Sequence, residues 1–418
     1  MMTDDAALRR GTNQPRMGDF NQSVVLEAIR RAPQGLSRVE LAEGTGLSAQ
    51  AVTNITRRLL EQGLVVEAGR TIRGPGKPRT MLRLDPTRQL AIGVHLDPAV
   101  MTFVLLDLAG EVIAQATERT PTGTPRRIID AIVRAIEELI VRSGVDRTLI
   151  VGVGVASPGP LDVAGGTVID PPKLAGWHRV PLRDAISAAT GLPLLLEKDT
   201  TAAAVAELWR GSDQDVPSFL FVYLGTGIGV GLVRRHEIVR GSSGNAGEVG
   251  HIIVDPDGPL CGCGLRGCLG VVCTPQALVE RAEHAGVLED TRLGSDPESV
   301  DARFDELCRR AAAGDAAAQR LLDRNAEQLS VAISALTNML DIDRVVFGGP
   351  YWSRLADTYL RVVPQRLQEQ SATRAIRRLP VAGTVAGDDV AAIGAACAVL
   401  DAVHSPHTSS LYLSSPEA

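Results

Sequence analysis

The spacing of apolar positions near the start of the chain predicts three short helices. Val24, Leu26 and Ile29 with their neighbours mark a first helix ending near Arg31. Ser37-Arg-Val-Glu40 has the form of a capping box, and it opens a second helix carrying Val39, Leu41 and Ala42. Gly44-Thr-Gly-Leu47 is a short turn, after which Ser48 caps a third helix from Ala49 to about Gln62. Val52, Ile55 and Leu59 share the inward stripe of that third helix, at i, i+3 and i+7. Helix, turn and capped helix at this spacing form a helix-turn-helix pattern. Leu64-Val-Val-Glu67 and Thr80-Met-Leu-Arg-Leu84 then read as two strands joined by a basic tip, which makes the unit a winged helix.

Beyond Asp85-Pro-Thr the period changes. Leu90 to His95, Met101 to Leu108 and Leu149 to Val155 read as buried strands, with a helix from about Pro125 to Gly144 between them. Leu194-Leu-Leu-Glu-Lys198 runs straight into a helix, and the stretch from Thr274 to about Leu340 has helical spacing. Arg344 to Pro350 is a strand ending in a Gly-Gly turn, and Val390 to Leu400 is a tightly packed helix. Alternating strands and helices of this kind predict a layered α/β body. The expected organisation is a disordered arm at 1–16, a winged helix-turn-helix domain at 17–86, the body at 87–404 and a flexible tail at 405–418.

Charge sharpens the division. The chain is acidic as a whole, at −6, yet residues 1–85 hold 13 basic against 9 acidic residues while the remainder holds 30 against 40. A basic first domain on an acidic body points to nucleic acid as the partner of that domain alone. Gln50, Thr53, Asn54 and Arg57 face away from the apolar stripe of the third helix, and Ser48 sits at its start. These are side chains that read base edges and phosphates in a major groove. An isolated amphipathic helix would show the same polar face. The wing that follows, with Arg73, Lys77 and Arg79 placed for phosphates or the minor groove, favours double-stranded operator DNA. No apolar run approaches the ~20 residues that cross a bilayer. Met1 to Met17 contains no apolar segment of signal-peptide type, and the cysteines form a metal-type cluster rather than an even disulfide framework, so a reducing cytoplasm is the expected location.

Three of the six cysteines, Cys261, Cys263 and Cys268, fall within eight residues, and His251 lies shortly before them. Four such donors suit a closed tetrahedral zinc site, which would be structural rather than catalytic.

Gly244-Asn-Ala-Gly-Glu-Val-Gly-His251 followed by Cys-Gly-Cys-Gly-x-x-Gly-Cys268 resembles the ROK family of repressors and sugar kinases. The resemblance implies a two-lobed actin-like ATPase (ribonuclease H-like) body, zinc on the histidine and cysteines, and sugar contacts from Glu248 and His251. It extends to the winged helix, which resembles the one ROK repressors carry and ROK kinases lack. Asp199 matches the family's aspartate that activates a sugar hydroxyl, although a lone aspartate at a strand end also serves as a helix cap. The family's first phosphate turn, Asp-x-Gly-x-Thr, is broken here. His95, Asp97 and Ala99 stand at the three defining positions, and Pro98 removes an amide donor. The second Gly-rich turn, Leu224 to Gly229, is intact, and a plain tight hairpin explains it equally well.

Three further departures fall at positions of sugar contact in the family. Lys173 and Lys198 replace asparagines, and Gly270 replaces a glutamate. If all three line the pocket, an effector with an anionic group is favoured; if the lysines face solvent, the pocket has decayed. The resemblance implies a non-enzymatic regulator, a repressor of sugar-metabolism genes. A sugar-like effector bound near Lys173, Lys198, Asp199, Glu248 and His251 would control a homodimer or homotetramer. A sugar kinase with an added DNA-binding domain is the alternative, and a constitutive DNA-binding protein with a vestigial pocket is a third reading.

Overall fold

The computed structural model describes residues 14–71, 78–171, 174, 176–211, 216–289 and 297–404. The first domain comprises α1 (Gln14–Arg30), β1 (Leu36–Ser37), α2 (Arg38–Thr45), α3 (Ala49–Glu61), β2 (Val65–Thr71) and β3 (Arg79–Leu84). The capping box at α2 forms as read: the Ser37 side chain accepts from the Glu40 amide, and the Glu40 carboxylate accepts from the Ser37 amide at 2.8 Å. Val25, Leu26, Ile29, Leu41, Val52, Ile55 and Leu59 are buried together beneath the wing. Helix α1 starts at Gln14, inside the stretch expected to be a disordered arm. Pro15 falls in its first turn, where no intrahelical N–H bond is required. The expected tail at 405–418 lies outside the described residues.

The body has two lobes, each built on a five-stranded sheet. The first comprises β4 (Leu90–Leu96), β5 (Val100–Asp107), β6 (Val112–Arg119), α4 (Pro125–Ser143), β7 (Ile150–Ser157), the short β8 (Leu161–Asp162) and β9 (Thr167–Val168), α5 (Leu182–Thr190) and β10 (Leu194–Lys198). Its strand order is β10-β7-β4-β5-β6, with β4, β5 and β6 antiparallel and β7 and β10 parallel to β4. Helix α6 (Asp199–Arg210) follows β10 without a loop and leads to the second lobe. That lobe contains β11 (Phe219–Leu224), β12 (Ile228–Arg234), β13 (Glu237–Ile238), α7 (Leu269–Val272), α8 (Pro275–His284), α9 (Pro297–Ala312), α10 (Ala316–Leu340), β14 (Arg344–Gly348), α11 (Trp352–Gln370) and β15 (Val381–Gly383). Its sheet order is β13-β12-β11-β14-β15. The chain then returns to the first lobe as α12 (Val390–His404).

Helices α6 and α12 sit back to back between the two sheets, α12 on β4 and β7, α6 on β11 and β12. Small residues make that packing feasible. A Cβ at Gly394 of α12 would lie 1.7 Å from the Ala202 carbonyl oxygen of α6, and one at Gly93 of β4 would lie 1.9 Å from the Ala392 carbonyl oxygen of α12. Backbone therefore approaches backbone, which is why the alanine-rich stretches of α6 and α12 are buried throughout. Among the described residues, no helix is long and apolar enough to cross a membrane.

Candidate functional site: a recognition helix, an interlobe cleft and a four-donor cluster

The polar face of α3 is open to solvent. Gln50, Thr53, Asn54 and Arg57 are exposed, while Val52, Ile55, Thr56 and Leu59 are buried. Gln50 donates to the Asn54 side chain at 3.3 Å, an amide pair of the kind that reads an adenine edge. The Ser48 hydroxyl accepts from the Ala51 amide at 3.2 Å and so caps α3. The helix start presents amide donors beside it. Arg79 opens β3 opposite Thr71, at the base of the wing. Arg73 and Lys77 lie outside the described residues. Exposed Arg58, one residue beyond Arg57, adds a charge to this surface that helical spacing alone did not single out.

At the start of α6 the two lobes enclose a cleft of about 140 Å³, lined among others by Asp97, Gly159, Lys198, Asp199, Thr226 and Glu248. Three of the five expected effector contacts meet here. Lys198 ends β10 and Asp199 begins α6, so the strand-to-helix junction delivers both side chains at one place. The Lys198 ammonium is not a free charge. It lies 2.7 Å from a Glu248 carboxylate oxygen and donates to the Ala246 carbonyl at 3.2 Å. The preceding residue, Glu197, holds an earlier point of the same loop through Arg240 at 2.7 Å. Asp199 accepts from the Thr200 amide at 2.7 Å. Burial pushes its carboxyl up to about 7, opposed by the Lys198 ammonium and the Thr200 amide and reinforced by Asp97 and Glu248. Lys173 lies outside the described residues, and His251 is not among the residues that line the cleft.

The turn after β4 faces the Gly225–Gly227 turn across the cleft floor. One Asp97 carboxylate oxygen accepts from the Ala99 amide at 2.8 Å, and the other lies 3.5 Å from the Thr226 hydroxyl. A carboxylate thus occupies donors from both lobes. His95 is buried beside it, with Nε2 3.3 Å from the Tyr223 hydroxyl. Burial lowers the imidazole pKa, while Asp97 and Asp389 pull it the other way.

His251 and the three cysteines form one cluster. Their ligand atoms all lie within 4.8 Å of one another. His251 Nδ1 is 3.5 Å from Cys261 Sγ, and Cys263 Sγ is 3.6 Å from Cys268 Sγ. A tetrahedral ion with bonds of about 2.0–2.3 Å sets ligand-to-ligand edges of about 3.5–3.8 Å, so four donors at this spacing fit a metal ion. The loop turns back sharply to close the cluster. Gly267 has φ 69°, and a Cβ there would lie 1.5 Å from the Asp255 carbonyl oxygen.

Comparison with known proteins places this architecture. A family model described as the ROK family matches residues 91–402, and one described as the MarR family matches residues 19–71. A xylose repressor of Caldicellulosiruptor bescii is 26% identical over 341 residues, covering 80% of this chain and 84% of its own length. A glucokinase of Thermotoga maritima is 31% identical over 264 residues, 62% of this chain and 81% of its own. The crystal structure of a ROK family transcriptional regulator, a homologue of the E. coli MLC protein, matches with a TM-score of 0.77 at 25% identity, covering 94% of this chain and 98% of that one. The chain belongs to the ROK family, as a member with a MarR-type winged helix ahead of the ROK body.

Proposed function

We propose that this chain is a DNA-binding transcriptional regulator, a repressor of sugar-metabolism genes, and that a sugar bound between the lobes controls its grip on operator DNA. The observation that carries the reading is the pairing, in one chain, of an exposed recognition helix with a cleft whose polar groups Lys198, Asp199 and Glu248 converge. Ligands shift such equilibria only by binding two states differently. The protein would act in the cytoplasm as a homodimer or homotetramer, two winged helices meeting two half-sites. Zinc held by His251, Cys261, Cys263 and Cys268 would fix the loop that carries Glu248.

The cleft's charge bears on the effector. Asp97, Asp199 and Glu248 are carboxylates, and the Lys198 ammonium already has a carboxylate partner. Those groups favour a neutral sugar, whose hydroxyls can donate to them, over the phosphorylated or acidic sugar that unpaired lysines would have favoured.

A kinase reading has Asp199 in its favour, since a carboxyl near 7 is poised to take a proton from a hydroxyl. Against it, the Asp97 carboxylate fills the donors of the Ala99 amide and the Thr226 hydroxyl that an anionic phosphate would need. The two readings separate in one experiment: mobility shifts of the chain's own upstream DNA with a panel of sugars, run beside an assay for ATP-dependent sugar phosphorylation. Sugar-dependent release without phosphorylation supports the regulator. Phosphorylation lost in Asp199→Asn supports the kinase.

A further inference from the structure

The cleft and the winged helix are joined by one rod. Helix α6 begins at Asp199 in the cleft and ends at Arg210, a span of about 16 Å at the helical rise. In its last turn, Trp209 meets the last residue of α1. Arg30 stacks over the Trp209 indole, its guanidinium carbon 4.0 Å from the ring centroid, and donates to the Trp209 backbone carbonyl at 2.9 Å. Glu27 fixes the same guanidinium from the other side with two hydrogen bonds of 2.8 Å. Only 7% of the Arg30 side chain is exposed. An arginine on the carbonyl end of a helix complements the dipole there, and a stacked guanidinium holds one orientation where an ammonium would not. The apolar core of the winged helix is also continuous with Ala202 to Ala206 of α6 and Val390 to Leu400 of α12.

Between its ends α6 has little freedom to bend. A Cβ at Gly231 would lie 2.4 Å from the Thr200 carbonyl oxygen, and one at Gly394 would lie 1.7 Å from that of Ala202. Farther along, Glu207 accepts from the Thr384 hydroxyl at 2.8 Å and the Val385 amide at 3.1 Å, both in the second lobe. A displacement imposed at Asp199 therefore has to appear at Trp209 as movement of the whole helix.

We propose that α6 couples the cleft to the DNA-binding domain, with Arg30 and Trp209 as the joint that passes its movement to α1. Arg30 and Trp209 are positioning residues, outside both the cleft lining and the recognition helix α3. The proposal rests on the reading of the cleft as an effector site, and the test separates the two.

Operator affinity of the full-length protein is measured for wild type, Asp199→Ala, Arg30→Lys and the double variant, each checked for native circular dichroism. Arg30→Lys keeps charge and stem but loses the stack and the directed hydrogen bond; Trp209→Phe replaces it should the lysine variant fail to fold. Independent sites this far apart combine to within about twofold in an equilibrium constant. The expected result is a double variant departing from the product of the single effects by more than about twofold. Agreement within about twofold overturns the proposal. The same proteins are then titrated in millimolar D-xylose, D-glucose and N-acetylglucosamine. A sugar that weakens wild-type operator binding and has a smaller effect in Arg30→Lys supports the joint; an undiminished effect overturns it and leaves the effector reading intact. If none of the three sugars acts on wild type while the cycle is non-additive, the joint stands and the effector reading loses its support.

Discussion

Lys198 and Glu248 form an ion pair of 2.7 Å whose two ends sit in different surroundings: the lysine side chain is 3% exposed and the glutamate 63%. Removing either partner is therefore not equivalent. Glu248→Ala strands a buried ammonium with the Ala246 carbonyl as its remaining close acceptor from that loop. Lys198→Met leaves a carboxylate that water can solvate. With the exposed end discounted for screening, Glu248→Ala is expected to cost about 1–2 kcal/mol and Lys198→Met less than about 1 kcal/mol. Urea denaturation of both variants measures the order, and a larger loss in Lys198→Met would contradict it.

Asp199 is expected to make effector binding depend on pH. Its carboxyl, raised to about 7, offers both oxygens as acceptors to sugar hydroxyls only when ionised; protonation turns one of them into a donor. Affinity is expected to fall by up to about tenfold per pH unit below that value and to level off above it. Asp199→Asn should bind more weakly and show no such step, as isothermal titration between pH 5.5 and 8.5 (roughly the window around that value) would reveal. The sign for stability is opposite. A carboxyl raised on folding adds stability that is present below its unfolded value, near 4, and lost as pH rises through about 7.

The winged helix was legible because its signals are local: a capping box, a second capped helix and one apolar stripe, all within Ser37 to Leu59. The β10–α6 junction was legible for the same reason, since strand and helix patterns abut at Lys198 and Asp199. What escaped notice depends on residues far apart in the chain. Arg30 and Trp209 are 179 positions apart, and no pattern in either segment points to the other. The charge of the cleft escaped likewise: Lys198 reads as an added cation until Glu248, on another loop, is seen to neutralise it. His251 carried two expected roles, sugar contact and metal ligand; its Nδ1 faces Cys261 at 3.5 Å, in keeping with the second.

The four-donor cluster is expected to bind one zinc ion per chain. Cys268→Ala or Cys261→Ala should lower the zinc content, read by elemental analysis of the purified protein, and lower the melting temperature. Because a bound ion would pin the loop that leads from Glu248, sugar affinity should fall more than operator affinity in these variants. Full zinc retention in Cys268→Ala would exclude that residue as a ligand.

On α3, Arg57 and Asn54 should separate by type of contact. Arg57→Ala is expected to weaken binding to all DNA sequences and reduce the salt slope by about 1. Asn54→Ala should cost about 1–3 kcal/mol on the operator and relax discrimination at one base pair. Fluorescence anisotropy at several salt concentrations, with operator and scrambled DNA, distinguishes them.

The most direct test of the central claim is the operator affinity of the full-length protein on its own upstream DNA, measured by anisotropy with and without a panel of neutral and phosphorylated sugars. At least one neutral sugar is expected to weaken binding by about fivefold or more, the lower end of ordinary allosteric coupling, and Asp199→Asn to blunt the response. Operator binding that is tight yet indifferent to every sugar in the panel would contradict control through the cleft.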